Sequence, residues 1–356
     1  MRISIDCRHI DSSGIGIYLK ECLPFFLASQ NSFLLIGDIE KLEKITKNSN
    51  AEIVQCTIKP FSFRDTFLFP GDILQKINQS DLYYSPYFNI PSGIKVPIYT
   101  TIHDIIFPDM PELTSRIGLA ARMFFYRRCF RSSKKIFTVS KFSKSRIEYY
   151  SGSKIPVVVT HSAIQPYFLE HRKSPEKTKK QKTVLFIGNI KKHKGLDCLL
   201  DAFMLARAEG LPHRLVIVGS RDNFRTSDTS IQKKIDSLGT DAIEFTGFIS
   251  DEKLLEYLAS AALLVQPSLY EGFGLPPLEA MISGTRALIS DIPVFREIYD
   301  GFPVTYFTAG DAIALKDKLL SLLKIKEIKE FVLSKELQSK YTFSKTAGKI
   351  LKELNV

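Results

Sequence analysis

At 356 residues the chain is long enough for two domains of ordinary size, and 44% hydrophobic residues can furnish their cores. No apolar run approaches the roughly 18–20 residues of a membrane-spanning helix, and the start, MRISIDCRHI, reads as a first strand rather than a signal peptide. Five scattered cysteines without a CxxC pair exclude a disulfide framework and a cysteine zinc site, and the net charge of +11 points to nucleic acid, phospholipid or a phosphorylated substrate.

Residues 2–6 (RISID) alternate as a short strand. Asp11 to Gly16 (DSSGIG) form a glycine loop, and an apolar-rich helix follows to about Ala28. Pro24 is expected to kink or end that helix. A strand, a glycine loop and a helix make an entry compatible with phosphate, but G-x-G alone is a weak sign. Phe33–Gly37 and Glu52–Cys56 read as further strands. From Phe61 to Ile94 the chain is aromatic and turn-rich. It reads as one helix inside long loops, facing substrate. Pro97–Ile102 is a strand with His103 and Asp104 at its C-terminal end. Open parallel sheets bind ligands beyond that end. A lone histidine is more often structural than catalytic, and Asp104 can equally cap the next turn.

Arg116 to Arg146 holds ten basic residues and no acid, with Phe124, Phe125, Tyr126 and Phe130 interleaved. A solvated helix with inward aromatics is one reading. Docking on an anionic membrane surface is another, at about 1 kcal/mol per basic residue near lipid. Nucleic acid ranks last, because no helix-turn-helix, RRM or zinc pattern accompanies the charge.

Ile136–Ser140 and Val157–Thr160 continue the strands, and Ser174–Lys182 (SPEKTKKQK) is the natural linker. After it a second series begins. TVLFIG is a strand, NIKKHKG a loop, and residues 195–208 a helix. RLVIVG, IEFTGF and ALLVQP are strands, separated by helices near 230–238 and over 251–261. Such alternation predicts a parallel sheet with helices on both faces. Residues from about Ile313 to Leu354 read as two helices.

The stretch after the last of these strands, PSLYEGFGLPPLEA, places Glu271 and Glu279 eight residues apart around Gly272, Phe273 and Gly274. The Pro276-Pro277 pair suits a first helical turn, and Leu275, Leu278 and Ile282 have the spacing of a buried face. Glu271 should sit on the loop before the helix and Glu279 in its first turns, where backbone N–H groups favour phosphate. Two carboxylates can accept sugar hydroxyls there. On residue types alone, a strand-to-helix turn with two solvated glutamates fits as well.

The run Pro267–Asp291 (PSLYEGFGLPPLEAMISGTRALISD) resembles the signature of the retaining, nucleotide-sugar-dependent glycosyltransferases of family GT4. Their motif is E-x7-E with an internal G-F-G, and Gly284 also falls in place. The opening SIDCRHIDSSGIGIYL and the segment Pro60–Leu74 look like relatives that build bacterial surface polysaccharides, many of them mannosyltransferases. The resemblance implies the α/β GT-B fold, two Rossmann-like domains facing a central cleft. It implies an N-terminal acceptor-binding domain over 1–173 and a nucleotide-sugar-binding domain over 183–335. A closing helix over 336–356 would cross back to the first domain.

The same resemblance implies the roles of single residues. Glu271 sits by the donor sugar and steadies positive charge, His103 contacts that sugar, and Glu279 holds the ribose hydroxyls. Backbone groups of Gly272, Phe273, Gly274 and Leu275 orient sugar and phosphate. Phe248 and Ile249 pass beside the base. Gly14 and Gly16 admit the diphosphate and acceptor. The loop after residue 187 carries Lys191, Lys192, His193 and Lys194 before a helix. Lys194 matches the family's diphosphate-binding lysine, whereas Asn189 stands where the family has an arginine. Lys191, Lys192 or Arg8 would then supply the missing charge.

No convincing D-x-D turn is present, so no metal and no cofactor is expected beside the nucleotide-sugar donor, GDP- or UDP-linked. A donor phosphate oxygen would take the acceptor proton, with no paired general acid and base. The expected activity is retaining transfer of a hexose, with mannose as the guess. The acceptor would be a lipid-linked oligosaccharide in surface-glycan synthesis, such as O-antigen or lipopolysaccharide. The enzyme would be cytoplasmic, peripheral on the inner face of the cytoplasmic membrane, bound to its anionic surface and not to nucleic acid. The alternatives are a GT-B enzyme with a soluble sugar or sugar-phosphate acceptor, a sugar-nucleotide epimerase, and a non-catalytic nucleotide or nucleic-acid binder.

Overall fold

The computed structural model describes residues 1–46, 49–171, 179–219, 229–239, 241–324 and 331–354. Much of the expected linker Ser174–Lys182 lies outside the described residues. The chain forms two compact units, Met1–Gln165 with Tyr341–Val356, and Pro166–Lys340.

The first unit is built on seven strands, β1 (Arg2–Asp6), β2 (Ser32–Gly37), β3 (Glu52–Gln55), β4 (Leu82–Ser85), β5 (Ile98–Ile102), β6 (Ser133–Thr138) and β7 (Val157–Val159). Their order is β3-β2-β1-β4-β5-β6-β7, and every pair is parallel. Parallel pairing needs crossovers, so helices cover both faces and the central strands carry no polar side. β4 and β5 are buried at every position.

The segment 61–94 departs from the expectation of one helix. It holds two helices, Phe63–Phe67 and Gly71–Asn78, and then β4 in the middle of the sheet. LYYS, followed at once by Pro86, shows no alternation, because both of its faces are covered. The helix Ser13–Leu27 starts inside the expected glycine loop and runs through Pro24. Pro24 lies in its last turn, and the Ala28 N–H still donates to the Pro24 carbonyl at 3.0 Å. In the helix Phe343–Leu354, Phe343, Ala347, Ile350 and Leu354 share a core with Ile3, Ile5, Tyr18 and Leu19.

The second unit has six strands, β8 (Thr183–Ile187), β9 (Arg214–Val218), β10 (Ile243–Gly247), β11 (Leu263–Gln266), β12 (Ala287–Ser290) and β13 (Thr305–Phe307). The order is β10-β9-β8-β11-β12-β13, again parallel. The crossover helices Leu196–Ala208, Thr229–Leu238 and Asp251–Ser260 stand where periodicity places them. At the C-terminal end three helices, Ala312–Leu323, Lys335–Gln338 and Phe343–Leu354, replace the expected two among the described residues.

Chain direction across this sheet reverses between β8 and β11. The carboxyl ends of strands at such a reversal are where open parallel sheets bind ligands. In the first unit the corresponding reversal lies between β1 and β4.

Candidate functional site

Two loops meet at the β8/β11 reversal. One runs from Gly188 to Gly195, and the other from Pro267 to Leu275. The Leu269 N–H donates to the His193 carbonyl at 2.7 Å, which ties them together. Gly195 has φ +70, and a Cβ on it would lie 1.9 Å from the Pro267 carbonyl oxygen. Only glycine permits this approach. It brings Lys194 onto Glu271, with Nζ 2.7 Å from Oε1 and 2.9 Å from Oε2.

Glu271 is buried and further held by Ser268, whose Oγ donates to Oε1 at 2.8 Å. Gln266 Nε2 in turn donates to Ser268 Oγ at 3.0 Å, and Ser290 Oγ donates to the Ser268 carbonyl. Ser268, Gln266 and Ser290 form this support, and the sequence reading missed all three. The one available signal was Ser268 standing three residues before Glu271. Nothing local marks Gln266 or Ser290, because they reach the site from the carboxyl ends of β11 and β12, which only the sheet order brings together.

The helix after the loop is Pro276–Ile282, so Glu271 precedes it and Glu279 lies within it, as the spacing predicts. Every residue from Pro277 to Ile282 is buried, not one face alone. Tyr299 pins the entry: its hydroxyl donates to the Gly274 carbonyl and accepts from Leu278 N at 3.2 Å.

Glu279 is therefore an acid inside a buried helix, and its carboxyl has no hydrogen-bond partner among the described residues. Burial, and secondarily the Asp251 charge, pushes its pKa up from 4.5 to about 7. The folded protein thus binds this proton more tightly than the unfolded chain. Its contribution favours folding at low pH and fades as pH rises from 4.5 through about 7. Glu279→Gln should remove that fading, worth at most about 3 kcal/mol. Melting temperatures of both proteins across this window check it, and an unchanged slope in the variant would contradict the assignment.

The remaining expected residues of this unit lie at the same end of the sheet. Asn189 and Lys191 are exposed on the β8 loop. Phe248 is 82% exposed just beyond β10, and Ile249 is partly buried. Phe273 and Gly274 are buried, while Gly272 and Leu275 are partly buried. His193 is pushed down to about 4, mainly by burial and then by Lys194. Its Nδ1 is buried without a partner among the described residues.

The other candidates belong to the first unit. His103 stands just past β5, where its Nε2 donates to the Pro86 carbonyl at 3.0 Å. Its ring meets Tyr18 edge-on at 4.8 Å. Burial brings its pKa down to about 4, so the imidazole is neutral near pH 7 and Nδ1 remains an acceptor. Asp104 Oδ1 accepts from Ile106 N at 3.2 Å, a local cap. Gly14 and Gly16 lie in the first turn of a helix rather than in a loop. Gly14 faces open space, but a Cβ on Gly16 would meet the Ile10 carbonyl oxygen at 2.4 Å. The close approach at Gly16 is thus to the chain's own backbone.

Arg8 cannot stand in for the missing arginine. Its side chain is 2% exposed between Asp6 and Asp65, at 2.6 Å from each carboxylate. The basic segment is also partly committed. Arg146 chelates Asp109, Lys135 pairs with Glu353, and Arg128 donates to the Thr66 carbonyl and Ser92 Oγ. Arg116, Arg127 and Arg131 are exposed without hydrogen-bond or ion-pair partners among the described residues. No described helix is long and apolar enough to cross a membrane.

Residues 168–335 match the family described as glycosyl transferases group 1. The chain is 28% identical to O-antigen chain mannosyltransferase B of Escherichia coli over 61% of its own length and 58% of that protein's. It is 33% identical to mannosylfructose-phosphate synthase of Agrobacterium fabrum over 31% of its length and 25% of that protein's. The chain thus spans well under two thirds of either relative. Among solved structures, HepE of Anabaena in complex with UDP and glucose superposes with a TM-score of 0.74 at 17% identity, covering 100% of this chain and 99% of that one. The chain therefore carries a glycosyl transferases group 1 domain over residues 168–335, on the fold of the GT-B glycosyltransferases.

Proposed function

We propose that this chain is a retaining, metal-independent glycosyltransferase that moves a hexose from a nucleotide sugar to a lipid-linked glycan acceptor. The observation that carries the reading is the Lys194–Glu271 pair at the β8/β11 reversal, with Glu279 buried in the following helix. Transfer leaves negative charge on a diphosphate and positive charge on the sugar. A lysine and a carboxylate held together in a crevice supply one partner for each. Lys194 gives its charge to the departing phosphate, and Glu271 faces the sugar. Ser268 and Gln266 keep Glu271 in place before donor arrives, so little reorganisation is needed. Glu279, without an internal partner, accepts from the ribose hydroxyls. A donor phosphate oxygen takes the acceptor proton, so no second protein base is required.

Mannose is the favoured sugar, supported by the similarity to O-antigen mannosyltransferase B. UDP in the structurally similar HepE equally supports a uridine donor. A soluble sugar-phosphate acceptor is a second reading, favoured by the similarity to mannosylfructose-phosphate synthase. Melting-temperature shifts and donor hydrolysis across GDP- and UDP-sugars test the donor. Transfer to lipid-extracted against soluble acceptors separates the two readings.

Activity is expected to survive EDTA, because Lys194 with Lys191 and Lys192 carries the leaving charge. Loss of activity in EDTA, restored by Mg2+ or Mn2+, would refute this account of the leaving group.

A further inference from the structure

We propose that the outward face of residues 63–68, with the adjoining helix Arg116–Ser132, docks the first unit on an anionic phospholipid bilayer. Phe63, Phe67 and Leu68 would enter the interface, and Arg127 and Arg131 would meet headgroup phosphates. The proposal deepens the reading of a lipid-linked acceptor and rests on it for its purpose, but on separate residues for its evidence.

The short helix Phe63–Phe67 is inside out. Asp65 and Thr66 are fully buried, while Phe63 is 70% exposed, Phe67 52% and Leu68 63%, with Arg64 exposed beside them. In a water-soluble surface turn the pattern runs the other way. Two ties enforce it. Asp65 accepts from Arg8 Nη1 at 2.6 Å, from Phe61 N at 2.9 Å and from Asn89 Nδ2. Arg128 Nη1 donates to the Thr66 carbonyl at 3.2 Å. The polar atoms are thus spent inward, and the aromatics are left facing solvent.

The exposed rings form one patch. Phe63 and Phe67 lie 5.1 Å apart between ring centroids, and Phe67 and Phe124 lie 6.4 Å apart. Contiguous exposed aromatics of this kind mark an interaction site. Directly beside them is a depression of about 360 Å³ lined by Ala120, Phe124, Arg127, Arg128, Arg131 and Ser132. It pairs apolar walls with guanidinium donors, the combination that a lipid headgroup with its first methylenes presents in complement. Charge argues for a bilayer over a second copy of the chain. In a symmetric dimer this patch would face itself and set Arg127 and Arg131 against their own copies. No acid lies between Glu112 and Glu148 to relieve that.

The test is flotation of the full chain with phosphatidylcholine vesicles, with and without phosphatidylglycerol, at low and high salt. Wild type should float with the anionic vesicles. Phe63→Ser with Phe67→Ser should lower partitioning at least about 10-fold at both salts. Arg127→Ser with Arg131→Ser should lower it roughly 30-fold at low salt only, at about 1 kcal/mol per charge. All four side chains are exposed, so melting temperature should not move, and nucleotide-sugar affinity should stay at the wild-type value. Absence of wild-type flotation, variants that float like wild type, or a dimer dissolved by the phenylalanine changes would each overturn the proposal. Failure of wild type to bind any nucleotide sugar would instead overturn the proposed function, whatever the vesicles show.

Discussion

Replacing Glu279 or Glu271 by alanine is expected to cut donor-dependent turnover by roughly 10- to 150-fold, the loss of one charge-assisted hydrogen bond of about 1.5–3 kcal/mol. The two variants should differ in how they lose it. Glu279→Ala removes an acid that burial penalises, so it should not destabilise the protein at neutral pH. It should weaken binding of the nucleotide diphosphate alone, because the ribose contact goes with it. Glu271→Ala frees Lys194 from its 2.7 Å partner. The diphosphate should then bind at least as well, while turnover falls. Lys194→Ala should lower the rate even at saturating donor, since the diphosphate gains charge in the transition state. Titration calorimetry and steady-state kinetics on the three variants separate these outcomes. Wild-type kinetics in both glutamate variants would remove the site from consideration.

Arg8→Ala should destabilise the first unit by about 3–5 kcal/mol, the cost of leaving buried charge unpaired. Asp6 and Asp65 both lean on this guanidinium, and Tyr83 Oη adds a hydrogen bond to Asp6 at 2.9 Å. Burial alone would raise the Asp6 pKa, but the Arg8 charge overrides it and the net direction is down from 3.8. In the wild type this contribution is full above the ordinary Asp value and is lost as pH falls through the lowered one. In the variant burial acts on Asp6 without its cation, so mild acidification should restore stability rather than remove it. Denaturant midpoints against pH measure the reversal, and parallel profiles would refute it. Because Asp65 also orients the Phe63–Phe67 turn, the variant should lose vesicle binding along with stability.

The sequence by itself determined the strand–helix alternation from β8 to β11, where each strand is an apolar-rich run closed by a glycine or proline, whereas the short edge strand β13 went unread. It also determined the local geometry around Glu271 and Glu279, where G-F-G and Pro276-Pro277 leave the backbone little choice. The first unit was less legible. β4 escaped notice because a strand covered on both faces has no alternation, and its aromatic composition with Pro86 looks like a loop. Pro24 was expected to kink or end its helix, yet the helix runs on from it to Leu27. Gly14 and Gly16 read as a ligand loop, but Gly16 is needed where the helix crosses the Ile10 carbonyl. Arg8 looked available to a phosphate until the fold set Asp65 beside it, 57 residues along the chain. The pairing of Lys194 with Glu271, 77 residues apart, likewise comes only from β8 and β11 being neighbours in the sheet. Local sequence sets backbone preference and periodicity. Which charges meet is decided by strand order, and strand order is a property of the whole packed chain.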